Sequence, residues 1–176
     1  RSVGYSNIGL IHAKHRDYAN AIQSHSKALA IKLKTLAPEN PSIGSSYFKI
    51  GQVYASSLDY EKAIENYHKA VETWKLAFGE EHPNIADAYY SLASAYGNSG
   101  RDANLYLEKA LVIRLKVLGE DHEDVGSIYL SLGFSYDQKG KYGKAIEYFD
   151  KALLVFSSKP SKLPHLYYYM GECFYK

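Results

Sequence analysis

The chain has 176 residues, of which 46% are hydrophobic and 23% charged, so it can form one globular domain or a short repeat array. Its 21 Lys and Arg residues nearly balance 19 Asp and Glu residues, which leaves a formal net charge of +2. Binding to nucleic acid or to a membrane surface needs a clustered basic excess, so we expect neither partner. The single cysteine, Cys173, excludes a disulfide within the chain and a zinc site built from four thiolates.

The sequence carries no targeting or membrane signal. No run approaches the ~20 apolar residues that a membrane-spanning helix needs, and no signal peptide stands at the start. We therefore expect a cytoplasmic location. The chain opens at Arg1 and stops at Lys176 inside a helical pattern, so we expect it to be a piece of a longer protein.

Short patterns recur along the chain at intervals of about 40 residues, which indicates a repeat architecture. In one column, a small residue is followed three positions later by a ring in most repeats; it holds Gly9, Gly51, Ala93, Gly133 and Gly171. A second column keeps the same period and holds Ala28, Ala70, Ala110 and Ala152. The third repeat fits this period after a short deletion near Arg101.

Each repeat contains two predicted helices, because its recurrent positions lie three and four residues apart and so share one helical face. The second repeat shows this in Tyr47, Ile50, Gly51 and Tyr54, and then in Ala63, Tyr67 and Ala70. In chain order we expect repeats over about 2–40, 41–82, 83–122 and 123–160. A lone helix over about 161–176 follows, as an end cap or a partial fifth repeat.

The residues between repeats fit helix ends. Pro41 and Pro83 suit a first helical turn, where a missing N–H costs nothing. Gly79 and Gly119 suit a helix C-terminus.

The combined columns resemble the tetratricopeptide repeat, in which a large aromatic, Leu, Gly and Tyr are followed by Ala, Phe and Ala. The period here exceeds the usual ~34 residues, and the linkers at 78–86 and 118–122 are similar to those of kinesin light chains and their relatives. The resemblance covers essentially the whole chain. It implies an all-α fold, a right-handed superhelical array of antiparallel helix pairs. The paired asparagines common in kinesin light chains are represented only by Asn7, so we do not expect kinesin cargo binding.

The resemblance also implies a binding surface, because the first helix of each tetratricopeptide pair lines a concave groove. First-helix residues outside the packing columns combine rings, aliphatic groups and amides, which suits an extended or helical peptide with apolar anchors. The predicted groove residues are Asn7, Lys14, Phe48, Lys49, Gln52, Tyr90, Ser94, Asn98, Leu130, Phe134, Gln138, Tyr168 and Glu172. In the alternative interpretation, Phe48, Tyr90 and Phe134 pack against the first helices of adjacent repeats and bind nothing.

We therefore expect a non-catalytic scaffold or adaptor that binds a peptide segment or a partner protein. No phosphate-binding glycine loop, nucleophile elbow or pair of catalytic carboxylates occurs, so the sequence predicts neither an enzyme nor a cofactor. One alternative is a regulatory segment of a larger signalling protein or enzyme. Another is an array that self-associates through its exposed ends.

The histidines and the cysteine are interpreted as structural residues. His12 and His25 occupy columns that other repeats fill with rings, so they predict packing rather than metal binding, and protonation of a buried pair would loosen the first repeat. His82 and His122 recur in linkers, which indicates a role at helix starts. Cys173 is predicted to be a small packing residue.

Overall fold

The computed structural model describes residues 1–157 and, beyond them, residues 166, 167, 170, 171 and 173. Residues 1–157 form helices and turns without any β-strand, as predicted for an all-α repeat array. The helices are α1 (Ser2–Lys14), α2 (Tyr18–Thr35), α3 (Pro41–Ser56), α4 (Tyr60–Phe78), α5 (Pro83–Asn98), α6 (Asn104–Leu118), α7 (Glu123–Gln138) and α8 (Tyr142–Phe156).

The helices belong to two compact units, with the boundary between Arg101 and Asp102. In the first unit, α1 packs against α2, α2 against α3, α3 against α4 and α4 against α5, and α3 also touches α5. In the second unit, α6 packs against α7 and α7 against α8.

The starts of α3, α5 and α7 are capped by side chains in the linkers. Asn40 Oδ1 accepts a hydrogen bond of 3.0 Å from the backbone N–H of Ser42. His82 and His122 take the same position before α5 and α7, where each Nδ1 accepts from the N–H two residues later, at 3.2 and 3.1 Å. The capping role predicted for both histidines is therefore confirmed.

Proline and glycine stand where the sequence places them. Pro41 and Pro83 occupy the first turns of α3 and α5. Gly79 and Gly119 follow α4 and α6 with φ of 80° and 82°, a conformation that side chains with a Cβ rarely adopt.

The two helices of a pair approach closely where the glycine column meets a ring. A Cβ built on Gly51 would lie 2.7 Å from the ring of Tyr67, and one on Gly9 would lie 2.7 Å from the ring of His25. Gly133 meets Phe149 in the same way. Tyr67 is 3% exposed, and this burial raises its pKa to about 12. The glycines thus make room for a buried ring from the partner helix.

The third pair carries the deletion detected in the sequence. α2, α4 and α8 begin at Tyr18, Tyr60 and Tyr142, three residues before alanines at the equivalent positions 21, 63 and 145. α6 instead begins at Asn104, directly after the corresponding Ala103, and so lacks its first turn. The N–H of Asn104 is satisfied by Asp102 Oδ1 at 3.0 Å.

Cys173 is a packing residue, as predicted. It is 4% exposed and belongs to one buried cluster with residues of α8 and with Leu166. The α8 members of that cluster are Ala145, Phe149, Ala152 and Phe156.

Recurring contacts between lysine and tyrosine explain part of the chain's 18 tyrosines. In three pairs the lysine that precedes the alanine column lies over the first tyrosine of the repeat, at 5.7–5.8 Å from the ring centroid. Such contacts are worth about 0.5–1 kcal/mol each at exposed sites. The pairs are Lys27 with Tyr5, Lys69 with Tyr47, and Lys151 with Tyr129.

The close approach at the glycine column predicts an asymmetric response to added methyl groups. Gly51→Ala should lower the free energy of unfolding by about 1–3 kcal/mol, because the new methyl overlaps the buried Tyr67 ring. Gly143→Ala is the matched control, since nothing lies within 4 Å of a Cβ there. Urea unfolding of both variants checks this, and an equal effect of the two substitutions would contradict the packing described.

Candidate peptide-binding surface

The predicted groove residues of α1 and α3 differ in exposure. Asn7 and Lys14 on α1 are exposed, as is Gln52 on α3. Phe48 and Lys49 on α3 are half-buried. These two side chains therefore keep only part of their surface for a partner.

The predicted groove residues of α5 all face solvent. Tyr90 is 41% exposed, and Ser94 and Asn98 are also exposed. They follow one another at intervals of four residues, so they form a single stripe along α5. Asn98 Nδ2 donates to Ser94 Oγ at 3.4 Å, which links two members of the stripe.

The second unit contributes Leu130, Phe134 and Gln138 on α7. Gln138 is exposed, whereas Leu130 and Phe134 are half-buried and pack against the cluster around Phe149. Tyr168 and Glu172 lie outside the described residues.

Phe48 and Phe134 pack against rings of the second helix of their own pair, and not of an adjacent first helix as the alternative interpretation expects. The ring of Phe48 lies 5.4 Å from Tyr67 and 5.5 Å from Trp74, measured between centroids. The ring of Phe134 meets Phe149 edge-on at 5.3 Å. Alanine at either position would remove core contacts as well as surface, so substitution of these rings cannot separate binding from stability.

A cleft of about 100 Å³ opens in the first unit between α1, α2 and α3. It joins Lys49 and Gln52 from the predicted groove to His25, which the sequence interpretation assigned only to the core. Its lining consists of Leu10, Ala13, Tyr18, His25, Lys49, Gln52, Val53 and Ser56. No acidic side chain belongs to this lining.

His25 is buried without a partner for its outer nitrogen. The residue is 2% exposed, and Nε2 has no hydrogen bond. Burial lowers the pKa of His25, and the charges of Lys49 and Lys32 lower it further. The pKa of Lys32 is also lowered, first by burial and then by Lys49. This part of the first unit is therefore locally basic although the whole chain is almost neutral.

Lys32 is held in place by α3. Its Nζ donates to the backbone carbonyl of Ser42 at 2.9 Å and to Ser46 Oγ at 2.8 Å. These bonds tie the end of α2 to the start of α3 and keep the Lys32 charge beside the cleft region.

Of the two histidines that the sequence analysis places in packing columns, the structure buries only one. His25 is buried, but the side chain of His12 is 36% exposed and its Nδ1 lies 3.0 Å from Asp17 Oδ2. The aromatic column predicts the core position of His25. It does not predict the exposed position of His12. There, the turn after α1 brings the carboxylate of Asp17 back to the helix.

The burial of His25 predicts that acid destabilises the first unit. The folded state disfavours a charged His25, so the unfolded state binds the proton more readily. Stability should therefore be constant above about pH 6.5, the ordinary histidine pKa, and should fall as the pH drops below it. Urea unfolding between pH 7.5 and 5 measures this slope.

His25→Phe is the matched variant, because Phe149 fills the equivalent position of the fourth repeat. It should show a smaller loss of stability on acidification than the unchanged chain. Identical slopes for the two proteins would mean that other groups carry the pH dependence.

Within the described part of the chain, no helix combines the length and hydropathy that crossing a bilayer requires. Residues 1–157 and the described positions after them contain no group of three or more His, Cys, Asp or Glu side chains placed to hold a metal ion.

Comparison with solved structures finds the same fold in several repeat proteins. The crystal structure of BtubC (BKLC) from P. vanneervenii superposes with a TM-score of 0.86 at 21% identity, over 97% of this chain and 70% of that one. A putative kinesin light chain from Podosopora anserina, with nearly identical TPR-like repeats, gives 0.81 at 21% identity, over 97% and 84%. The MamA protein gives 0.71 at 25% identity, over 98% and 80%.

Comparison of the sequence leads to the same family. No curated protein matches the chain. The profile of the tetratricopeptide repeat matches residues 2–67, 57–104 and 106–156, and a second profile of that repeat matches residues 85–124. These matches cover most of the sequence. The chain therefore belongs to the tetratricopeptide repeat family.

Proposed function

We propose that this chain is a non-catalytic scaffold that binds a peptide segment of a partner protein along its first helices. Tetratricopeptide repeats generally mediate interactions between proteins. The observation that carries the proposal is the exposed stripe of α5. Its polar side chains are exposed in the same way as Gln52 on α3. Amides and hydroxyls there can bond to a peptide backbone, and Tyr90 offers a ring as an anchor.

The half-buried rings support this surface from below. Phe48 is packed on Tyr67 and Trp74, so its orientation is set before any partner arrives. Trp74 is itself fixed, because its Nε1 donates to the backbone carbonyl of Pro41 at 3.1 Å. A surface that is already ordered loses little conformational entropy on binding, which favours affinity.

The proposal is tested by blocking the surface without disturbing the core. Gln52→Arg, Ser94→Arg and Asn98→Arg together add bulk and charge at exposed positions of α3 and α5. The control places arginine at three exposed positions of α2 and adds the same charge; these positions are Gln23, Ser26 and Ala30.

Peptides selected from a random phage-displayed library on the unchanged chain supply the ligands. We expect the first-helix variant to bind them at least tenfold more weakly by fluorescence anisotropy, and the α2 control to bind them normally. Equal binding by all three proteins would place the site elsewhere. Failure to select any peptide would contradict peptide binding itself.

We also propose that copies of the chain associate through α1. Ile8 and Ile11 occupy the columns that Ile50 and Val53 occupy in α3, yet they are 45% and 57% exposed where Ile50 and Val53 are 4% and 5% exposed. In α3 this face is covered by α2, with Leu29 in contact with the Ile50 cluster. α1 thus presents an apolar face of the kind that a helix covers elsewhere in the array.

Sedimentation velocity over a concentration series tests this association. The unchanged chain should shift to larger species as its concentration rises, and the Ile8→Glu, Ile11→Glu variant should remain a monomer. If the unchanged chain remained a monomer at every concentration, the proposal would be contradicted.

A regulatory segment, the third possibility, would use the α3 and α5 surface to bind part of its own polypeptide.

A further inference from the structure

Helix α1 is attached to the first unit mainly at one residue. Among Ser2–Lys14, only Gly9 is buried. Among the described helices, α1 packs extensively only against α2. There Gly9 receives the ring of His25, so closely that a Cβ on Gly9 would lie 2.7 Å from the ring. The attachment of α1 is therefore concentrated at the contact between Gly9 and His25.

Without this attachment α1 would not remain helical. It has 13 residues, and no side chain caps its start. Gly4 and Gly9 each disfavour a helix by about 1 kcal/mol relative to alanine. Helices shorter than ~12–15 residues are marginal in water on their own. Release of α1 would therefore also remove the apolar face formed by Ile8 and Ile11.

Helix α2, in contrast, is held by α3 without help from α1. Leu29 packs in one buried cluster with Ile43 and Ile50. Lys32 Nζ donates to the backbone carbonyl of Ser42 at 2.9 Å. α1 can therefore detach while α2 stays docked, and such a local opening costs less free energy than unfolding of the whole unit.

A proton on His25 would meet unfavourable surroundings in the docked state. The residue is 2% exposed, and Nε2 has no hydrogen bond. The charges that act on it, from Lys49 of α3 and Lys32 of α2, are both positive. On α1, His12 has its own partner in Asp17, at 3.0 Å. A charged His25 is therefore stabilised by contact with water, which it gains when α1 moves away.

We propose that protonation of His25 releases α1 from α2, and that this release weakens the association of copies through α1. The inference rests on the proposed association and adds its regulation by acid. Because the docked state disfavours the charged imidazole, α1 stays docked above about pH 6.5, the ordinary histidine pKa. Its released fraction rises as the pH falls below that value. The association declines with the docked fraction, since only docked α1 presents Ile8 and Ile11 together.

Hydrogen exchange of backbone amides tests the release, at pH 7.5 and 5 and below the concentration at which copies associate. Protection factors remove the intrinsic effect of pH on exchange. The amides of α1 should be at least about tenfold less protected than those of α4 at pH 7.5, because α1 opens locally. Their protection should fall further with acid, by up to about tenfold for each pH unit below 6.5.

His25→Phe is the matched variant for the release, because its ring stays in the Gly9 contact but cannot bind a proton. Its α1 amides should keep the same protection at both pH values. Lys49→Gln removes one like charge that acts on His25, so it should reduce the acid response. Lys34→Gln, at an exposed position of α2, should leave that response unchanged. These two variants keep the test independent of how well phenylalanine is tolerated at position 25.

Sedimentation velocity at the same two pH values tests the regulation. The dissociation constant of the unchanged chain should rise at least about threefold between pH 7.5 and 5, because fewer copies carry a docked α1. That of His25→Phe should stay constant. His12 titrates in both proteins, so the difference between them isolates the effect of His25.

The other outcomes separate the release from the association. Equal protection of α1 and α4 would overturn the inference, because α1 would then leave only when the whole unit unfolds. The same loss of α1 protection with acid in the unchanged chain and in His25→Phe would also overturn it. Release of α1 without a change in the dissociation constant would overturn the regulation and leave the association in place. A monomer at both pH values would overturn the association and its regulation together, while the exchange data still decide the release of α1.

Discussion

The fold depends on one contact that is repeated along the chain, the packing of a ring from the second helix against a glycine of the first. Gly9 with His25, Gly51 with Tyr67, and Gly133 with Phe149 leave no room for even one additional carbon. Because both helices are held at this short distance, the alanines of the second column are also fully buried. Most other features of each pair follow from this approach.

The approach also decides which residues remain available for function. One face of α3 packs against its partner α4 and another against the preceding helix α2. Gln52 on α3 and the Tyr90, Ser94 and Asn98 stripe on α5 lie on faces that are exposed to solvent. The proposed binding surface is therefore what the packing leaves unused, built on helices whose positions are set by the core.

The repeated columns could be predicted from the sequence because their members lie three or four residues apart within a helix and recur once in each repeat. Gly51, Tyr67 and the proline and glycine at helix ends are all of this kind. Phe48 could not be assigned in the same way, since it lies beside the column and its contact with Trp74 depends on a residue of the next helix.

The cleft was also beyond prediction from the sequence. It requires Leu10, His25 and Lys49, which lie on three helices and share no spacing. The His25 side chain lacks a hydrogen bond because the end of its ring meets backbone and not a polar group. A pattern of residue types does not indicate such a contact. Helix faces follow from periodicity, whereas the shape of a gap between three helices does not.

Within each unit, nearly every helix touches only its neighbours in the chain, and this has a kinetic consequence. Contacts between residues close in sequence need little loop closure, so the entropy barrier to forming them is small. Such a chain has a low relative contact order, which is typical of domains that fold in microseconds to milliseconds. A ribosome that has released α1 and α2 has released all the partners their shared interface requires, and that pair can assemble while the rest is still being synthesised.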